Sequence, residues 1–225
     1  MIPLHDDIPT KSWPVVTVGL IVLNAALFVR VLLLPSGTQQ EALLRLAVIP
    51  YELTHLPPGR FELIGYNVLT LLTSMFLHAG WLHLIGNMLY LWIFGDNVED
   101  IMGHGRFLAF YLCCGLAAAA AQIAAHPASR VPMIGASGAI AGVLAGYLVM
   151  FPTARVMTLF FLIIIVRVVP VPALIVLGLW LLVQLVNAGQ AGPGGVAWFA
   201  HLGGFLAGLL LIVPFRRRRD RRGLY

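Results

Sequence analysis

Apolar residues run in long blocks along this chain, and most polar positions fall between the blocks. Six blocks have the length and character of membrane helices: Pro14–Leu34, Trp81–Val98, Arg106–Ala125, Ser137–Phe151, Pro170–Val186 and Val196–Phe215. The first two are joined by a long loop, residues 35–80. Within it, Glu41 to Val48 carries leucines spaced for an amphipathic helix lying at the interface. The stretch Val156–Val169 is apolar and rich in β-branched residues, and it is broken by Arg167, Pro170 and Pro172. It is too short to span before that break, so a buried hairpin or an interfacial piece is predicted, with a seventh span as the competing reading. The fourth block is short. At about 1.5 Å per residue it covers about 22 Å of a ~30 Å hydrocarbon core. Ser137 then starts below the membrane surface, and Val131 to Ala136 dips inward as irregular backbone. Such backbone is tolerated only against protein or a water-filled cavity.

Composition supports the same picture. The chain has 225 residues, 60% hydrophobic and 10% charged, with a mean hydropathy of +0.93. That balance predicts an all-α, polytopic membrane protein with one compact bundle. Residues 1–13 and 216–225 flank a membrane domain over 14–215. The net charge of +5 does not point to nucleic acid, because much of it lies in one tail, Arg216–Arg219, Arg221 and Arg222. That tail reads as a topology anchor on the cytoplasmic side, touching anionic lipid. An even number of spans puts both termini there. Lys11, Arg106, Arg155 and Arg167 then also fall inside, and Arg30, Arg45, Arg60 and Arg130 outside. The first apolar block is too long for a cleavable signal peptide. Cys113 and Cys114 are adjacent in an apolar run and read as buried small residues, not a disulfide.

Topology then brings four polar side chains to one depth. The second, fourth and sixth spans all run from outside to inside. His83 and Asn87 lie near the start of the second, Ser137 begins the fourth, and His201 lies one to two turns into the sixth. Polar groups in the outer third of a membrane are costly and usually functional. His83 and Asn87 are i, i+4 neighbours on one helix face. Gly138, Gly142 and Gly146 on the fourth span, with Gly204 and Gly208 on the sixth, let two backbones approach closely. No carboxylate falls inside a span at that depth; Asp96, Glu99 and Asp100 cluster at the inner end of the second. A Ser–His–Asp triad is therefore not expected within the spans, whereas a Ser–His dyad is. The carboxylate pattern also argues against a two-aspartate intramembrane protease and weakens a proton-coupled transporter. No His-Glu-x-x-His run exists, which disfavours a zinc protease. No cofactor or metal is expected. For Ser137 taken alone, a helix N-cap is the competing role.

On these residues the chain resembles the rhomboid family of intramembrane serine proteases. Gly135-Ala136-Ser137-Gly138 matches the nucleophile motif and Ala200-His201-Leu202-Gly203-Gly204 the base motif. His83-Leu84-Ile85-Gly86-Asn87 matches the family's His-x-x-x-Asn, and Leu69 to Arg106 is similar to its bacterial branch. The resemblance covers about residues 14–215. It implies a six-helix bundle in a prokaryotic inner membrane, opening to the outer side, that cleaves transmembrane segments of other membrane proteins. It implies Ser137 as nucleophile and His201 as general base, with His83, Asn87 and the Ser137 backbone N–H as oxyanion donors. A catalytically inactive relative that binds membrane helices is the alternative. The fifth span and the glycine-rich Gly189–Gly195 are the implied gate and cap. Two features depart from the family pattern: the outer loop has no Trp-Arg pair, and Ala141 stands where some members stack an aromatic on the base. The imidazole must then be held otherwise, with Phe205 or Trp198 as candidates. His78, His104 and His126 read as interfacial or loop histidines. Trp180 and Trp198 fit interfacial belts or span packing.

Overall fold

The computed structural model describes residues 2–57, 59, 61–162, 165–190 and 197–217. Helix α1 spans Val15–Leu32. Three helices then fill the long loop: α2 at Ser36–Leu46, α3 at Pro50–Thr54 and α4 at Phe61–Thr73. The bundle continues through α5 at Trp81–Met102, α6 at His104–Ala125 and α7 at Ser137–Met150. It closes with α8 at Ala173–Gln190 and α9 at Trp198–Phe215. Helix α2 is the amphipathic helix expected near Glu41–Val48, displaced toward the N-terminus.

Three helices, α1, α6 and α9, are long and apolar enough to cross a membrane. A fourth crossing arises if α4 and α5, which meet at a 79° bend, count as one broken span. Helix α7 and the Ala173–Ala188 part of α8 are apolar but shorter. Among the described residues, length and composition thus identify three to four candidate spans; the expected count of six is not confirmed. The surface is what a lipid-bathed bundle requires. Leu82 and Leu210 are 89% and 76% exposed, while Phe94, Phe107, Phe110, Tyr111 and Tyr147 are fully buried. In water that exposed apolar area would be a liability; in lipid it is the favourable solvent contact. Such a surface is that of an integral membrane protein.

The all-α expectation needs correction. Strands β2 (Arg155–Leu162) and β3 (Ile165–Pro172) stand where the β-branched run lies. The chain's start adds β1 (Ile2–Asp6), giving an antiparallel sheet in the order β1-β2-β3. The β-branched run forms the hairpin alternative, and a seventh helical span is excluded by it. Val156 and Thr158 alternate inward, both fully buried. Pro3 lies on β1, and Pro170 and Pro172 on β3. Both are edge strands, where a missing N–H costs no ladder bond. An open sheet edge cannot sit in hydrocarbon, so this sheet belongs beyond one end of the bundle.

Polar side chains tie that end together. Glu99 is fully buried. It accepts hydrogen bonds from Val16 N (2.9 Å), Thr17 N (2.8 Å) and Thr17 Oγ1 (2.7 Å), and contacts His104 Nδ1 at 2.6 Å. Helix α1 has no side-chain cap of its own; the Glu99 carboxylate satisfies its orphan amides and complements its positive end. Asp100 accepts from Ser12 N at 3.0 Å. The hydroxyl of Tyr147 and the amide of Asn97 both donate to Asp6 Oδ2. Arg217 N donates to Ile101 O at 3.2 Å, which brings the end of α9 to this same end.

The glycines of α7 and α9 pack as their spacing predicts. A side chain on Gly204 would collide with the Gly138 carbonyl, and one on Gly208 with the Gly142 carbonyl. On its other side Gly142 meets the buried Cys114. Only that cysteine fits the buried reading, because Cys113 is exposed on the outer face of α6; both are free thiols.

Two outcomes follow from these contacts. Gly204→Ala forces two backbones apart and should cost about 1–3 kcal/mol or more, read as a lowered thermal midpoint in detergent; a midpoint equal to wild type would show that the contact is not tight. Burial pushes the Asp6 carboxyl above its usual range, the Tyr147 hydrogen bond opposes this, and the Asp7 charge adds to it. The folded state therefore holds the Asp6 proton more firmly than the unfolded chain does. Its stabilising contribution is present in acid and is lost as pH rises through the raised folded value. Asp6→Asn should then raise the thermal midpoint relative to wild type at about pH 8 but not at about pH 3, and an identical difference at both would refute the assignment.

Candidate active site

Four of the expected residues line one cavity at the end of the bundle opposite the sheet. Its volume is about 1000 Å³, and Ser137, His201, His83, Asn87, Trp180 and Gln184 are among its walls. None of its lining residues is a carboxylate.

The backbone ahead of α7 brings Ser137 here. Residues 131–136 are irregular, as the shortness of α7 predicts, and they are held by protein partners. Met133 pairs with Val48 through two hydrogen bonds, and Gly135 N donates to Ser74 O at 2.9 Å. Gly135 has a φ of +128°, a conformation that side chains disfavour. A Cβ there would stand 2.7 Å from His83 Nε2. This glycine therefore lets the backbone pass close to the imidazole of His83. The helix cap is Ala136, and no side chain closes it. Ser137 is thus not the N-cap, and its hydroxyl is free for another partner.

That partner is His201. Its Nε2 lies 2.8 Å from Ser137 Oγ, and its Nδ1 lies 2.6 Å from Gln184 Oε1. His201 is 9% exposed. The crossing of α7 over α9 at paired glycines brings hydroxyl and ring within reach, since larger residues would hold the helices apart. A hydroxyl in hydrogen-bond contact with an imidazole nitrogen can lose its proton as it attacks an electrophile. Asn87 presents a buried Nδ2 with no hydrogen-bond partner. An orphan donor in a cavity wall costs stability unless something is bound there. His83 meets Ala79 N–H through Nδ1 at 3.5 Å, the outer limit of a hydrogen bond.

Of the two candidates expected to hold the His201 imidazole, Trp198 flanks it, and Trp180 is added. Trp198 approaches it edge-on, with centroids 6.0 Å apart, and Trp180 lies at 5.9 Å, tilted 41°. Phe205, the other candidate, stacks on Trp180 at 6.5 Å. Sequence reading passes over Gln184. Its signal was weak: an amide in a largely apolar helix that also carries Asn187 and Gln190. Two other histidines lie in loops as expected but sit close to the site. His78, read as interfacial or loop, is buried at 2% exposure and meets the His83 ring edge-on at 5.0 Å. His126 lines the cavity and packs on Phe199 at 5.3 Å. His104 is half-exposed beside Glu99 at the other end. The expected cap, Gly189–Gly195, lies mostly outside the described residues.

The Rhomboid domain model matches residues 66–218. The chain belongs to the rhomboid family. Rhomboid protein 1, mitochondrial, of Saccharomyces cerevisiae is 30% identical over 167 residues, covering 68% of this chain and 45% of that protein. Rhomboid protease GluP of Bacillus subtilis is 46% identical over 78 residues, covering 35% of this chain and 15% of its own length. RHOMBOID-like protein 12, mitochondrial, of Arabidopsis thaliana is 26% identical over 222 residues, covering 92% of this chain and 60% of that protein. The chain therefore spans between about a seventh and three fifths of these curated relatives. The matched region contains every cavity residue discussed above.

Gly135→Ala tests the loop geometry. It should cost about 1–3 kcal/mol of stability from backbone strain and displace the His83 ring. A thermal midpoint and a structure of the variant check this, and an unmoved ring at an unchanged midpoint would contradict it.

Proposed function

We propose that this rhomboid-family protein is an intramembrane serine endopeptidase working through a Ser137–His201 dyad. The observation that carries the reading is the 2.8 Å contact between Ser137 Oγ and His201 Nε2 inside a cavity without carboxylates. Ser137 attacks the scissile carbonyl carbon as His201 Nε2 takes its proton. The developing oxyanion is met by Asn87 Nδ2, His83 and the Ser137 N–H, the last at the positive end of α7. Collapse of the tetrahedral intermediate expels the amine, which receives the proton from His201, and leaves an acyl-enzyme. Water from the cavity repeats the sequence and releases the acid.

The substrate class is a transmembrane segment of another protein, unwound near the cut so that a carbonyl is accessible. Helix α8 forms the gate. In this reading α7 and α8 complete a six-span bundle. The short α7 spans because its partner backbone, residues 131–136, fills the remaining depth. The positive tail and the shared end of the N-terminal segment and α9 support cytoplasmic termini in a prokaryotic inner membrane. The cavity then opens to the outer side. Membrane lipid surrounds the bundle, and neither nucleic acid nor a cofactor takes part.

Purified protein in lipid nanodiscs, mixed with a labelled transmembrane-segment substrate, tests this reading. Ser137→Ala should abolish cleavage, and His201→Asn should abolish labelling of Ser137 by a fluorophosphonate. Asn87→Ala should lower kcat by roughly 10²–10³-fold with little change in KM. Cleavage that survives in Ser137→Ala would sink the nucleophile assignment. A wild type that binds the segment yet never cuts it would favour an inactive helix-binding relative.

A further inference from the structure

Gln184 lies on α8, 5% exposed, and both ends of its amide are engaged. Its Nε2 donates to the Trp180 carbonyl one turn earlier, at 3.0 Å. Its Oε1 faces His201 Nδ1 at 2.6 Å. The amide cannot be reversed without setting two acceptor oxygens, Oε1 and the Trp180 carbonyl, against each other. The orientation of Gln184 therefore follows from the helix backbone, independently of His201. An amide oxygen only accepts, so the proton on the neutral ring must be on Nδ1. Nε2 is then left with its lone pair directed at Ser137 Oγ. That is the one neutral tautomer able to take the hydroxyl proton.

We infer that Gln184 is a positioning residue for His201, fixing its tautomer and ring plane from helix α8. This inference rests on the dyad reading above. It also accounts for Ala141. That methyl is buried together with Phe205 and packs near Trp180, so aromatic bulk on the base side comes from α8 and α9 and not from α7. Gln184 and Trp180 occupy adjacent turns of α8, one bonding the ring and the other flanking its face. Because both belong to α8, the base is set only while α8 is docked against α9. The acceptor is neutral, so it orders the imidazole without placing a charge beside it. A carboxylate in a triad does both.

The test uses the full chain in nanodiscs, labelled with ¹⁵N-histidine, in wild type, Gln184→Met and Gln184→Glu. The His201 resonances are assigned by their loss in His201→Asn, and nitrogen shifts report which ring nitrogen carries the proton. Wild type should show the Nδ1–H tautomer, and Gln184→Met, which keeps the shape but lacks the acceptor, should lose it. Gln184→Glu, which retains an acceptor oxygen whether or not it is ionised, should keep it. With a cleavable segment as substrate, Gln184→Met should lower kcat at least about tenfold with KM within about twofold, and Gln184→Glu should restore most of kcat. A side chain needed only for packing predicts the opposite order, with Met tolerated and a buried Glu damaging. That order, or an Nδ1–H tautomer that persists in Gln184→Met, would overturn the inference. The tautomer measurement needs no turnover, so it stands even if wild type cleaves nothing. In that case the protease reading fails and the Gln184 contact is judged on its own.

Discussion

The backbone contact between α7 and α9 is the constraint on which the rest depends. Gly138 and Gly142 present carbonyls to Gly204 and Gly208 at a separation that admits no Cβ. Interhelical packing in lipid has no hydrophobic driving force, so close approach and dispersion must hold the pair. The same approach sets the distance between Ser137 and His201. Ser137 begins α7 immediately before Gly138, and His201 lies three residues before Gly204. The polar pair is thus a local consequence of the packing seam, and a change in one is a change in the other.

The two ends of the bundle treat polar groups in opposite ways. At the sheet end, Glu99 and Asp100 meet backbone amides, and Asp6 accepts from Tyr147 and Asn97. Those groups are satisfied and join the N-terminal segment to α5 and α7. At the cavity end, Asn87 Nδ2 has no partner and Gly135 holds a φ that only glycine adopts readily, beside His83. An unsatisfied donor at one end and a satisfied network at the other is a division expected where a bundle carries a site. Carboxylates do not line the cavity. Their absence from the cavity leaves His201 with a neutral partner.

Much of this was legible in the sequence, and the remainder was not for physical reasons. Apolar blocks located α1, α5, α6, α7, α8 and α9 because lipid-facing and core-facing positions are both apolar there. The glycine spacing on two blocks foretold their contact, and the motifs foretold the Ser137–His201 pair. The strands β2 and β3 were ambiguous, because a β-branched apolar run has no period that separates a strand from a buried helix segment. Their partner β1 could not be seen, since it lies about 150 residues earlier in the chain (Ile2 pairs with Leu159). Gln184 was invisible for a related reason. An amide in a helix that also carries Asn187 and Gln190 has no motif, and its meaning comes only from the imidazole across the helix interface.

The departure at Ala141 shows how such a contact is compensated. An aromatic on α7 one turn after Ser137 would stack on the base from the nucleophile's own helix. Here a methyl stands there, and Trp180 and Gln184 approach from α8. The two arrangements differ in what they tie together. An aromatic on α7 would couple the base to the helix that carries its nucleophile, which stays packed at the glycine seam. Support from α8 couples the base to a helix whose outer face is exposed, with Leu182 and Val186 turned outward, and which meets the bundle without a glycine seam. In this chain, then, the ordering of His201 follows the position of α8. Substitutions on the inner face of α8 should act on the base itself, and those on its outer face should not.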